Sequence, residues 1–288
     1  AMLDRVSAAF AASPVVNPDG TTGITMIHDY GQGGVFTGGG LVVHAANITG
    51  GVNNADFQSV KAANFAVNRL GYFHYVEMAH YYTTSLGSSG QAELPGNDLI
   101  VTLGCFVSTN NVANTIMHEL GHNLNLQHGG NESCNWKPNY NSVMNYRFQF
   151  PGVDVNGDAI GSSGEVNVLD YSRGTRISLN ENNLNEGAGV NGSTPIDWNF
   201  SGTIENGIVY DLNRISSFPG PSTGVDNTSC VAPLTTLNDY NDWAHILFSG
   251  LTDADGVTLS RLPSTLLDCL NPEMPRIVPP ELMPQPRR

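Results

Sequence analysis

The sequence predicts an α/β (α+β) chain, with a mixed sheet layered against helices in the first half and a loop-rich second half. Three observations carry this. Up to about residue 128 the apolar patterning runs strand, helix, strands, long helix, an order that fits a mixed sheet covered by helices. Beyond residue 129 the periodic segments become short and irregular. Hydrophobic residues make up 40% of the 288, enough for a core, and 32 glycines point to many turns and ordered loops. No internal repeat or linker divides the chain. The expected organisation is one domain over 1–288: an upper part over about 1–128, a lower part over about 129–270 and an extended tail over 271–288.

The elements follow in order. Residues 1–22 read as a helix-prone start closed by a Pro/Asn/Gly turn. Gly23 to Tyr30 alternates apolar residues and reads as a strand. Gly31 to Gly40 is a glycine-rich loop that lacks the spacing and the lysine of a phosphate-binding loop. Asp56 to Leu70 reads as a helix with Phe57, Val60, Ala63, Val67 and Leu70 on one face. Tyr72 to Tyr82, Gln91 to Leu94 and Asn97 to Leu103 read as strands, the last of buried type. Further on, Asp239 to Ser249 carries Trp243, Ile246 and Leu247 on one side and reads as a helix.

The chemistry concentrates between Thr115 and Tyr146. Val112, Ile116, Leu120 and Leu124 step by four and make the apolar stripe of a helix, with Asn110 or Thr109 as its expected cap. On another face His118 and His122 lie one turn apart, a spacing at which two imidazoles hold one zinc ion. Glu119 is angled off that axis and is placed to hold a water without being a ligand. His128, six residues past His122, cannot share the helix face, so the helix must stop and the chain double back. Asn125 sits midway, and asparagine is second only to glycine at a left-handed helix stop. Gly129 and Gly130 then let the chain leave in a new direction.

This H-E-x-x-H-x-x-N-x-x-H stretch resembles the metzincin zinc endopeptidases, in which glycine usually stands where this chain has Asn125. Ser142-Val143-Met144-Asn145-Tyr146 resembles the Met-turn of that family, with Met144 as the supporting methionine and Tyr146 in the place of the astacin and serralysin tyrosine. Gly129 after the third histidine matches none of the best-known subfamilies. The resemblance implies a mixed twisted sheet packed on two helices, a zinc helix at the cleft, and a loop-rich lower subdomain. It implies a zinc endopeptidase with His118, His122 and His128 as ligands, Glu119 as general base and Tyr146 as a catalytic hydrogen-bond donor. It also makes Ser89, Gly90, Gln91, Ala92, Glu93 and Leu94 the edge strand that pairs with a peptide substrate. Two rival readings stay open: a non-catalytic zinc protein, and a zinc hydrolase of small amides.

Composition narrows the partners. The net charge of −14 and only two lysines, Lys61 and Lys137, exclude a basic nucleic-acid face. No stretch is long or apolar enough to span a membrane. The expected partner is a protein or peptide substrate, and the expected state a monomer. Four cysteines allow three pairings; Cys105–Cys134 with Cys230–Cys269 is favoured on proximity to the helix and its following loop. Disulfides imply an exported chain, and Ala8 to Ala12, too short for a signal-peptide core, implies a processed form of it. Asp197 to Glu205 offers oxygens at alternate positions, with Asp197, Asn199 and Ser201 as candidate calcium ligands, although Ile208 stands where a closing carboxylate belongs. The alternative there is a plain Asx-rich turn.

Overall fold

The computed structural model describes residues 1–30, 39–40, 47–70, 73–82, 88–104, 108–162, 167–214, 229–247 and 267–268. The glycine-rich loop over 31–38, Cys105, Cys269 and the proline-rich tail therefore fall outside the described residues. Among the described residues the chain is a mixed α/β structure with four α-helices and three small sheets. Helices α1 (Met2–Ala11), α2 (Ala55–Asn64), α3 (Thr109–Asn123) and α4 (Tyr146–Gln149) accompany strands β1 (Tyr75–Met78), β2 (Gly90–Ala92), β3 (Asp98–Val101), β4 (Leu179–Asn180), β5 (Leu184–Asn185), β6 (Asn206–Ile208), β7 (Thr236–Leu237) and β8 (Leu267–Asp268).

The main sheet has the order β1-β3-β2-β8, with β1 parallel to β3 and the other pairs antiparallel. Successive residues of β3 point to opposite faces. Leu99 and Val101 join α1 and α3 in one apolar core, whereas Ile100 packs with Phe57 and Val60 of α2 on the other face. Helices therefore cover both sides of the sheet, and α3, set against β2 and β3, is buried from Val112 to Asn123. The stripe Val112, Ile116, Leu120 and Leu124 is buried as its spacing requires. The opposite side of α3 is buried too, because the Met-turn and α4 close over it.

A second core holds the loop-rich part. Leu179, Leu184, Val190, Ile196, Trp198, Leu212 and Leu237 gather around two minimal sheets, β4–β7 and β5–β6. Cys134 is bonded to Cys230 and packs in this core. This corrects the expected pairing: neither Cys105–Cys134 nor Cys230–Cys269 forms. Proximity of Cys105 and Cys134 in sequence to the same helix was a poor guide, because the loop after His128 turns into the lower core and meets the 229–230 turn there.

Three further expectations are revised. Among the described residues the 23–30 segment has no ladder partner. Its alternation arises because Ile24 and Met26 pack on the α1 side of the core while Ile24 N–H bonds back to Phe10 O. The helix expected from Asp239 reduces to a single 3₁₀ turn, Asp242–Ala244. Leu247 N–H donates to Leu124 O at the end of α3, 3.0 Å away, instead of extending a helix of its own. Finally, β2 is not a sheet edge, since β8 pairs along its outer side at Gln91 and Ala92. The stretch Ser89 to Leu94 is thus an interior strand with its flanks, and the part expected of it as an exposed edge for substrate does not hold here.

Candidate metal centre

Helix α3 is capped by Ser108, whose hydroxyl accepts from Asn111 N–H at 3.0 Å, one residue before Thr109 and two before Asn110, the caps expected from the sequence. It ends in a Schellman arrangement. Leu126 N–H bonds Gly121 O, Asn125 N–H bonds His122 O, both at 2.9 Å, and Asn125 has φ of 74°. The left-handed residue anticipated at the helix stop is therefore Asn125. The reversal returns His128 to the side of α3 that carries His118 and His122.

The three imidazoles converge. Their candidate ligand nitrogens all lie within 4.8 Å of one another, and among the described residues no other His, Cys, Asp or Glu trio does this. Nδ1 of His118 meets Val143 O at 2.7 Å, and Nδ1 of His122 meets Leu126 O at the same distance. A carbonyl only accepts, so both Nδ1 atoms carry the proton and both Nε2 atoms keep a lone pair. Burial pushes all three imidazoles down, His122 to about 4, so they are neutral at pH 7. A neutral, oriented, converging imidazole trio fits a zinc ion.

Glu119, also fully buried, lies against β2: a Cβ on Gly90 would stand 2.6 Å from its Oε1. The glycine at Gly90 leaves room for the carboxylate. Gly121 serves the Met-turn in the same way, since its Cβ would fall 2.2 Å from Met144 Sδ. A glycine inside a helix costs about 1 kcal/mol relative to alanine. That cost is the signal in the sequence that marks a close approach at Gly121.

The Met-turn is pinned from several directions. Val143 N–H donates to Asp170 O, Asn145 Nδ2 donates to Lys137 O and Tyr140 O, and Ser142 Oγ donates to Asp242 at 2.6 Å. Asp242 is wholly buried, accepts also from Tyr140 OH and Ser172 N–H, and is pushed by burial up to about 7. Tyr146 places its ring 4.4 Å from that of His128 and 5.7 Å from that of His118. Its backbone N–H is held by Asn135 Oδ1 at 3.0 Å. Lys137 is buried, and its ammonium donates to Gly129 O, Asn238 O and Glu132 Oε1. It thereby fixes the exit of the chain from His128. Asp242, Asn135 and Lys137 were not found from the sequence, because no periodicity or spacing distinguishes them from surface residues.

The expected calcium ligands Asp197, Asn199 and Ser201 lie together on one turn. Asp197 accepts from Ser201 N–H and Gly202 N–H, and Asn199 Oδ1 also takes Ser201 N–H, so the loop closes as an Asx turn. Ser201 Oγ donates to Glu205 at 3.0 Å. Among the described residues no helix is long and apolar enough to cross a membrane.

No family model matches this chain, and neither a curated protein nor a solved structure does.

Proposed function

We propose that the chain is a zinc-dependent endopeptidase of metzincin type, exported and acting on protein or peptide substrates. The observation that carries this reading is the convergence of His118, His122 and His128 beside Glu119, with the protons of two ligands fixed by backbone carbonyls. The disulfide Cys134–Cys230 supports an oxidising compartment. Zinc, when bound, supplies Lewis-acid polarisation and a water of lowered pKa. The residues do the rest. Glu119 takes a proton on its carboxylate and passes it to the leaving amine. Tyr146 donates its phenol proton in a hydrogen bond to the developing oxyanion. Met144 and Gly121 set the floor beneath the ligands.

One observation favours the rival reading, a non-catalytic zinc site: His118, Glu119 and His122 are fully buried and His128 is 7% exposed. Glu119 argues against it, since a purely structural site needs no base at that position. The deciding experiment is cleavage of unfolded casein by the zinc-loaded chain, with and without chelator. Cleavage stopped by chelator and restored by zinc is expected. Stoichiometric zinc without turnover of any peptide overturns the endopeptidase reading in favour of the non-catalytic one.

A further inference from the structure

Trp136 combines two unfavourable features at one residue beside the metal centre. Its φ is 62°, a left-handed conformation that a bulky side chain rarely adopts and that costs on the order of 1–3 kcal/mol. Its indole N–H is shut off from solvent and meets no acceptor among the described residues. The conformation is held from three sides. Cys134, two residues before it, is tied to Cys230; Asn135 Oδ1 accepts from both Trp136 N–H and Tyr146 N–H; Lys137, the next residue, is locked by its buried ammonium. The result is a row of rings leading outward from the ligands. His128 contacts Tyr146 at 4.4 Å, and Tyr146 meets Trp136 edge-on at 6.4 Å. The other two tryptophans, Trp198 and Trp243, are buried in the cores, whereas Trp136 is half-buried.

From this geometry we infer that Trp136 is a specificity-determining wall of the substrate cleft, whose indole face receives a bulky apolar or aromatic side chain of an extended peptide next to the bond that is cleaved. The inference rests on the endopeptidase reading for its substrate class. Strain at a packing residue far from the chemistry would bring no compensating gain. Here a partly exposed indole, a flat and largely apolar face, stands one ring away from Tyr146. Aromatic and aliphatic groups stacked on such a face gain binding energy that small side chains do not.

The test uses the zinc-loaded full chain with Glu119→Gln, which binds without turnover, and a set of otherwise identical hexapeptides bearing Phe, Leu, Ala or Lys at one position. Affinity is read by tryptophan fluorescence and calorimetry, with zinc and after its removal. The Phe and Leu peptides are expected to bind about tenfold tighter than the Ala peptide. That preference should vanish in Glu119→Gln/Trp136→Ala and persist in part in Glu119→Gln/Trp136→Phe, which keeps a ring should the alanine variant not fold. An unchanged preference in both variants, a Lys peptide favoured over Phe, or no binding of any peptide overturns the proposal. A chelator-insensitive or inactive wild type on casein, with the Trp136-dependent preference intact, overturns the endopeptidase reading and leaves the wall in place.

Discussion

Around α3 and the main sheet, what is buried is chiefly apolar: Val6, Phe10, Leu99, Val101, Met117 and Leu124 form one contiguous cluster with the Met-turn. Between residues 179 and 237 the strands are only two or three residues long, and buried carboxylates take over part of the work of a ladder. Glu181 accepts from Leu212 N–H at 2.7 Å and Thr235 N–H at 2.9 Å. Glu186 accepts from Trp198 N–H at 2.7 Å and Glu205 N–H at 2.9 Å. Asp154 does the same for Asn156, Gly157 and Ala159 and pairs with Arg176. Two regions of one chain thus satisfy the same requirement, a partner for every buried backbone donor, by different means. The three histidines gather on the side of the first region, with His118, Glu119 and His122 from α3, His128 from the loop that follows it, and Tyr146 from the start of α4.

The comparison is sharpened first at the centre itself. Glu119→Gln should lower kcat by about 10³-fold or more with zinc stoichiometry unchanged, whereas Tyr146→Phe should lower it by roughly 10²-fold. Steady-state kinetics with metal analysis checks both, and equal losses would mean that the phenol on α4 matters as much as the base on α3. Next come the two cores. Leu99→Ala should cost about 2–5 kcal/mol in urea unfolding, as a cavity in a packed core does. Glu186→Gln should cost about 1–3 kcal/mol, through weaker and unmatched bonds to backbone N–H groups. A larger loss from Glu186→Gln than from Leu99→Ala would invert the picture and make the carboxylates the main support of the fold. Opening Cys134–Cys230, which closes a separation of 96 residues, should cost about 2–4 kcal/mol and disturb the loop region before the sheet, readable by hydrogen exchange.

A further expected effect is a pH slope. Burial raises Glu181 from 4.5 and Asp242 from 3.8, both to about 7. Within that window the folded chain keeps protons that the unfolded chain has lost, so these groups make stability fall as pH rises from about 4 to 7. Glu181→Gln and Asp242→Asn should each flatten that slope in urea midpoints measured across the window. An unchanged slope in both would show that the two carboxyls are ionised in the fold.

The same contrast explains what the sequence could and could not reveal. Helix α3 was legible because its stripe repeats every four residues and its histidines obey the same geometry, and Asn125 was legible because a helix must stop somewhere before His128. Alternation at Ile24 and Met26 misled, since an extended segment packed on a helix shows the same period as a strand in a sheet. The 239–247 segment misled in the opposite direction: Trp243 and Ile246 have helical spacing, but Asp242 and Leu247 bond elsewhere. In the loop region the decisive contacts join carboxylates to backbone groups dozens of residues away, and backbone groups carry no residue identity that a sequence could display. Cys134 and Cys230 were visible as residues, and their pairing was not, for the same reason.

The bonds that orient His118 and His122 end on the main-chain carbonyls of Val143 and Leu126. Every amino acid brings the same carbonyl, so no side-chain replacement at those two positions removes the acceptor. Alanine scanning would record both residues as packing positions and miss their part in ligand orientation. The dependence becomes visible only when the backbone itself is altered, for example by an ester in place of the peptide bond after Leu126, which weakens the acceptor and leaves every side chain as it was.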